Sequence, residues 1–108
     1  MSTFYIKQGD TSPELQATLK DAEGAAIDLT GASVRFHMRL SGATATTVDA
    51  AATVVTAASG IVKYSWQAGD TDTVGRYEGE FEVTYADASV ETFPNTGYIP
   101  IRIRDDIA

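Results

Sequence analysis

Apolar side chains recur at every second position in three long segments of the chain, 34–40, 77–85 and 99–103. In the first of these, Val34 and Phe36 alternate with charged or polar residues. Successive side chains of a β-strand point to opposite faces, so a period of two indicates strands with one buried and one wet side. Shorter stretches show the same alternation at 4–6, 15–19 and 62–66. The pattern predicts antiparallel sheets that are buried on one face.

Turn-forming residues separate these segments. The tetrapeptide 21–24 begins with Asp and ends with Gly, which is the preference of a type I turn. Other pairs and triplets containing Gly or Asp divide the rest of the chain at 30–31, 41–42, 59–60, 68–70 and 87–89. Short strands at near-regular spacing are typical of a β-sandwich or barrel.

Segment 43–59 is the ambiguous part of the chain. It is rich in alanine, which favours helix, but also in threonine and valine, whose branched side chains favour strand. We interpret it as two short strands.

Charged residues occupy the wet faces of the long segments. The outward positions carry one acidic row and two arginine pairs: Glu78, Glu80 and Glu82; Arg35 and Arg39; Arg102 and Arg104. Opposite charges on neighbouring strands stabilise a sheet by about 0.2–1 kcal/mol per pair. We therefore predict that strand 76–86 lies between strands 33–40 and 98–104, with the arginines in ordinary ion pairs and an anion site as the alternative. Pro100 cannot donate a ladder hydrogen bond, so strand 98–104 is expected at an edge or bulged there.

Composition narrows the possible classes of protein. The 108 residues suit one domain, 1–108, with 44% hydrophobic and 21% charged residues. The net charge of −7 argues against nucleic acids and anionic membranes, which attract clustered Lys and Arg. Because the chain has no cysteine, it has no disulfide, no thiolate metal site and no cysteine nucleophile.

The start of the chain shows no secretion signal. Residues 1–7 are not followed by the apolar stretch and small-residue cleavage site of a signal peptide. No window approaches the roughly 18 apolar residues that span a bilayer. We expect a soluble protein synthesised in the cytoplasm, able to leave the cell within a larger particle.

The residues offer little for catalysis. A Ser-His-Asp triad would have to use the one histidine, His37, and no Gly-x-Ser-x-Gly motif or phosphate-binding glycine loop occurs. Asp70 and Asp72, or Asp105 and Asp106, are candidate calcium ligands, but calcium takes about six to eight oxygens and turn aspartates usually bond their own backbone. We expect no enzymatic activity, no metal and no cofactor.

Most aromatic side chains fall on inward positions of the predicted strands, where core packing explains them: Tyr64, Trp66, Tyr77, Phe81 and Tyr85. The alternation places Tyr5, Phe93 and Tyr98 less clearly. They are interpreted as a partly buried rim, with a role as partner anchors as the alternative, since interface centres favour aromatic residues.

Segment 72–79 resembles the corner of an immunoglobulin domain. There a turn containing Asp and Gly precedes a tyrosine whose hydroxyl bonds to upstream backbone, and a cysteine follows two residues later. Asp72, Gly75 and Tyr77 supply the corner here, and Gly79 stands in the cysteine position. We therefore expect an all-β, immunoglobulin-like antiparallel β-sandwich of about seven to nine strands without a disulfide.

Nearly the whole chain also resembles one family. The similar segments are 4–11, 15–19, 24–36, 60–66, 70–71 and 75–81. Gly-Asp-Thr at 9–11 combined with Ile-Asp-Leu-Thr-Gly-Ala at 27–32 is the most specific feature. The chain is similar to the N-terminal domain of the tailed-phage baseplate upper protein, an immunoglobulin-like module of phage structural proteins.

The resemblance implies a virion structural protein of the tail, baseplate or head surface, serving as an adaptor or decoration module that docks on other virion proteins. It implies no catalytic residues, and we expect the protein to be homo-oligomeric or present in several copies within the particle. The terminal segments 1–7 and 102–108 are the expected docking arms, with these candidate residues: Phe4, Tyr5, Ile6, Ile101, Ile103 and Ile107. A carbohydrate- or host-surface-binding module is the alternative; it would need exposed aromatic residues on one face.

Overall fold

The computed structural model describes residues 2–107, and in that range nine strands and one short 3₁₀ helix follow one another. The elements are β1 Phe4–Lys7, β2 Leu15–Thr18, β3 Ser33–Leu40, β4 Val48–Ala51, β5 Thr53–Thr56, the 3₁₀ helix Ala57–Ser59, β6 Ile61–Tyr64, β7 Gly75–Thr84, β8 Val90–Phe93 and β9 Ile99–Arg104. The predicted all-β class is confirmed. Within the same range no helix has the length and hydrophobicity needed to cross a membrane.

The strands form two sheets packed as a sandwich. The larger sheet has the order β1-β9-β7-β3-β4, and β8 pairs with the part of β7 that lies beyond β9. The smaller sheet has the order β2-β6-β5. Every pair of strands is antiparallel except β1 with β9, so the smaller sheet is purely antiparallel, as the alternation predicted, and the larger one is mixed.

The predicted strand order around β7 is confirmed, because β7 lies between β3 and β9. The expectation that the Pro100 strand is an edge is wrong, since β1 covers the other side of β9. Pro100 is the second residue of β9, and the register with β1 begins only at Ile101, opposite Phe4. The proline therefore precedes the ladder on that side and does not interrupt it.

The inner faces of both sheets build one core. Its buried side chains are Ile6, Leu15, Leu19, Leu29, Val34, Phe36, Met38, Val48, Val62, Tyr64, Trp66, Tyr77, Phe81, Val83, Phe93, Ile99, Ile101 and Ile103. Phe36 lies at its centre, with ring centroids 4.7 Å from Tyr64, 5.2 Å from Phe81 and 5.8 Å from Trp66. These spacings are those of favourable aromatic pairs.

Segment 43–59 contains two strands, as predicted, and they belong to different sheets. β4 is the edge of the larger sheet beside β3, whereas β5 pairs with β6 in the smaller one. The half-buried Ala52 carries the chain from one sheet to the other. Its small side chain packs against the core, which explains the alanine there.

Candidate docking surface

The tyrosine of the predicted corner bonds to upstream backbone. Tyr77 is buried, and its hydroxyl donates a hydrogen bond of 2.7 Å to the carbonyl oxygen of Thr73. Burial raises the pKa of Tyr77. Gly75 begins β7, and the backbone carbonyl of Asp72 accepts a bond of 2.7 Å from Gln8. This bond ties the turn before β7 to the residues that follow β1.

Only part of the predicted docking arms is accessible. Three of the candidate residues are buried in the core, at 5%, 2% and 0% exposure: Ile6, Ile101 and Ile103. All three side chains alternate into the sandwich, Ile6 from the edge strand β1 and the other two from the interior strand β9, so the folded domain does not present them for docking. Phe4 is half-buried, whereas Tyr5 and Ile107 are exposed. Met1 and Ala108, the outermost residues of the predicted arms, lie outside the described residues.

The outer face of the larger sheet, which is turned away from the smaller sheet, presents rows of side chains that cross the strands. The register sets three of these rows: Lys7 with Arg104; Tyr5 with Arg102 and Arg76; Pro100 with Glu78 and Arg39. Neighbouring positions within a row are roughly 4.8 Å apart across the strands. Successive rows are roughly 6.6–6.8 Å apart along a strand.

The half of this face formed by β3 and β4 is ion-paired. Arg39 contacts Glu78 of β7 at 2.9 Å, as the charge pattern predicted. Arg35 contacts Asp49 of β4 at 2.9 Å, although the register places Arg35 opposite a glutamate of β7. Its hydrogen bond lowers the pKa of Asp49. His37 lies between two carboxylates, 3.3 Å from Asp49 and 3.7 Å from Glu80.

The half formed by β1, β9 and the start of β7 is cationic. Arg102 lies directly opposite Arg76, and Glu78 lies opposite Pro100, so the predicted ion pairs between β9 and the glutamates of β7 are absent in the described part of the chain. We call Lys7, Arg76, Arg102 and Arg104 the cationic patch. No ion pair between residues 2–107 involves any of them.

Sequence reasoning missed Arg76. The alternation that puts Glu78 on the outer face also puts Arg76 there, so the sequence was enough to predict that Arg76 lies on this face. That Arg76 lies opposite Arg102 depends on the register of β7 and β9, which the alternation does not specify. A shift of two residues along either strand would have kept every side chain on its face and placed Arg102 opposite Glu78.

Two exposed tyrosines border the cationic patch. Tyr5 is 57% and Tyr98 43% exposed, whereas Phe93, left open with them by the alternation, is buried. The Arg39 guanidinium lies 5.0 Å from the centre of the Tyr98 ring and donates a bond of 3.1 Å to its hydroxyl. Arg104 lies 5.8 Å from the Tyr5 ring centre. Residues of β1, β7 and β9 line a depression of about 450 Å³ with these two tyrosines.

Asp70, one of the candidate calcium ligands, is engaged in hydrogen bonds with neighbouring residues of the protein. Asp70 accepts hydrogen bonds from the Tyr64 hydroxyl, 2.5 Å, and from the backbone of Gln67, 2.9 Å. Burial and the Asp70 bond raise the pKa of Tyr64. Among residues 2–107 no three His, Asp or Glu side chains are grouped so that they could hold a metal ion.

The fold and the outer face define a β-sandwich module that presents tyrosines and cations on one sheet. The family model of the BppU N-terminal domain matches residues 2–95, and the chain belongs to this family. It is thus a phage baseplate-associated structural protein, which points to the virion, to association with other virion proteins and to a non-enzymatic role. No curated protein was found to match the chain.

Proposed function

We propose that the chain is an adaptor or decoration module of the virion that docks on other virion proteins through the outer face of β1, β9 and β7, and that it is present in several copies. The observation that carries the proposal is the exposure of Tyr5 and Tyr98 around one depression of this face. Tyrosine and arginine are enriched at the energetic centres of protein interfaces. The family supports a structural role in the particle.

The strands that carry the exposed side chains of this face are anchored in the core, which favours docking. Tyr5 and Arg102 are neighbours on paired strands, and the inward residues of both strands, Ile6 and Ile103, are buried in the core. The exposed side chains therefore project from strands held by packing. A tyrosine loses little rotamer freedom when a partner covers it, so each ring contributes contact area at a low entropic cost.

Point substitutions test the proposal better than deletion of the terminal segments. Deletion of 1–7 or 102–108 would remove Ile6 or Ile103 from the core, so it would unfold the domain and could not separate loss of docking from loss of folding. The informative variant is Tyr5→Ser with Tyr98→Ser. Both side chains are exposed, so their loss leaves the core intact.

The measurement is the amount of protein in purified particles, by quantitative mass spectrometry. The matched control is Val55→Ser with Val90→Ser, which removes two exposed apolar side chains from β5 and β8. We expect the control to be incorporated like the wild type and the tyrosine variant to be reduced at least tenfold, about 1.4 kcal/mol of docking energy. Equal incorporation of the tyrosine variant, with an unchanged melting temperature, would contradict the proposal.

A second candidate function is the binding of a carbohydrate on the host surface. The exposed tyrosines favour it, because Tyr5 and Tyr98 are aromatic residues on one face, next to the hydrogen-bonding groups of Arg39 and Glu78. A glycan array with the purified chain tests it. Binding that disappears in the tyrosine variant and persists in the valine control supports this function; an array without signal argues against it.

A further inference from the structure

The cationic patch stands out against the charge of the whole protein. The chain has a net charge of −7, yet four of its eight lysines and arginines lie together in two adjacent rows of one sheet face. From the strand spacing these four positions span roughly 7 by 10 Å. The net negative charge of the protein repels a carboxylate-rich ligand, so such a ligand can bind only where cations are concentrated locally.

The arrangement of the patch does not serve the stability of the sheet. Arg76 and Arg102 occupy directly opposite positions, and like charges in that relation destabilise a pair of strands. The nearest carboxylate in the next row, Glu78, is engaged by Arg39 at 2.9 Å. Both guanidinium groups of the opposed pair are therefore available for an external anion.

The two other cations of the patch, Lys7 and Arg104, are less available for an external anion, because both have contacts within the protein. Lys7 donates a bond of 3.3 Å to the backbone carbonyl of Asp105, and Asp10 lines the same shallow groove as Lys7 and Arg104. Arg104 also lies over the Tyr5 ring. The cations most accessible to an anion are therefore Arg102 and Arg76, which share one row with Tyr5.

We infer that this row binds an acidic segment of a neighbouring virion protein, an extended stretch with two or more carboxylates. The inference rests on the proposed docking function and names the chemistry of its partner. A guanidinium forms two parallel hydrogen bonds to one carboxylate, so Arg76 and Arg102 hold two acidic side chains. Tyr5, a member of this row, and Tyr98, which lines the same depression, pack against the apolar parts of the segment.

The shape of the site favours a protein segment over a small anion. Arg76 is exposed and Arg102 half-buried, and the depression beside them is open to solvent and lined by residues of β1, β7 and β9. A lone phosphate there remains largely hydrated, whereas a segment that follows the strands covers the tyrosines and both arginines together. Exclusion of water strengthens each charge-assisted bond.

The deciding experiment measures binding of a dye-labelled peptide of alternating Glu and Thr to the purified chain, by fluorescence anisotropy. The test variant is Arg76→Gln with Arg102→Gln. The control is Lys20→Gln with Lys63→Gln, which changes the net charge equally but lies away from the patch. We expect wild type and control to bind the peptide and the patch variant to bind at least tenfold more weakly. Binding should also weaken between about 0.05 and 0.5 M NaCl, because salt screens exposed charges.

Two results overturn the inference: equal binding by both variants, including no binding by either, or displacement of the peptide by inorganic phosphate or a sulfated oligosaccharide at lower concentration than by unlabelled peptide. Incorporation into particles separates this failure from failure of the docking function. Normal incorporation of the Arg76→Gln/Arg102→Gln chain, with loss of the tyrosine variant, rejects the acidic segment and retains docking. Normal incorporation of both variants rejects both.

Discussion

The opposed arginines make a direct stability prediction. Arg76 and Arg102 face each other across β7 and β9 without a carboxylate between them. The substitution Arg76→Glu converts this like-charge pair into an ion pair, and Arg76→Gln removes the repulsion alone. Both substitutions act on an exposed side chain, so they leave the core untouched.

The magnitude follows from the cross-strand relation. An opposite-charge pair directly across two antiparallel strands contributes about 0.2–1 kcal/mol, and a like-charge pair opposes folding by a similar amount. Arg76→Gln should therefore raise the free energy of unfolding by about 0.2–1 kcal/mol, and Arg76→Glu by about 0.4–2 kcal/mol. The difference between Arg76→Glu and wild type should shrink at high salt.

The assay is urea unfolding followed by tryptophan fluorescence. Trp66 is the one tryptophan of the chain and is 4% exposed among Phe4, Phe36 and Tyr64, so its emission moves to longer wavelength on unfolding. With a slope of about 2 kcal/mol per molar urea, the expected gain for Arg76→Glu moves the midpoint upward by about 0.2–1 M.

A second substitution provides the contrast. Arg39 forms an ion pair of 2.9 Å with Glu78 in the next row of the same face, so Arg39→Gln should lower the midpoint. The reasoning would be refuted if Arg76→Gln and Arg76→Glu lowered the midpoint as Arg39→Gln does. In that case Arg76 would stabilise the sheet through contacts other than charge.

Three further substitutions test other parts of the structure. Tyr77→Phe removes the 2.7 Å bond to Thr73 and should lower the free energy of unfolding by about 1 kcal/mol; an unchanged thermal transition would contradict the corner. Gly60→Ala places a Cβ 2.8 Å from two backbone carbonyl oxygens, at a position where φ is +66°. It should lower the melting temperature clearly more than Gly42→Ala, where φ is also positive but no atom lies close to the new Cβ. Equal melting temperatures of the two variants would argue against this close approach. Burial, and to a smaller extent the hydrogen bond to the Glu91 carboxylate, raise the pKa of Tyr85 to about 12. The unfolded side chain titrates near pH 10, so this contribution is complete below about pH 10 and is lost as the pH rises toward 12. Tyr85→Phe should flatten the decline of stability in that range, and urea midpoints at three alkaline pH values would show whether it does.

The alternation of apolar residues was enough to predict β1, β2, β3, β6, β7 and β9 and their buried faces, because a period of two directly marks a face. It could not say which strands are interior, and the mistaken docking role of Ile101 and Ile103 came from treating β9 as an edge. β1, whose pairing partner lies almost a whole chain length away, covers that edge. No local pattern carries this information.

Charge patterning correctly predicted that β7 lies between β3 and β9, and it predicted the ion pair between β7 and β3 but not the contacts between β7 and β9. The Arg39–Glu78 pair agrees with it, but the register opposes Arg76 to Arg102 instead of a glutamate. Register depends on how inward side chains such as Tyr77 and Ile101 meet across the strands, and that is a property of packing. The candidate docking surface depends on this packing, so the sequence alone pointed to its tyrosines as one alternative but not to its arginines as a group.

The pairing of β1 with β9 bears on how the protein is made. Among the described strands β1 pairs only with β9, and Phe4 is opposite Ile101, so the ribosome must deliver β9 before β1 can join its sheet. Contacts this distant along a sequence slow folding, because a long loop closes before they form. The nascent chain therefore emerges with β1 unattached, and the sheet that carries the outer face is completed only after β9 has been made.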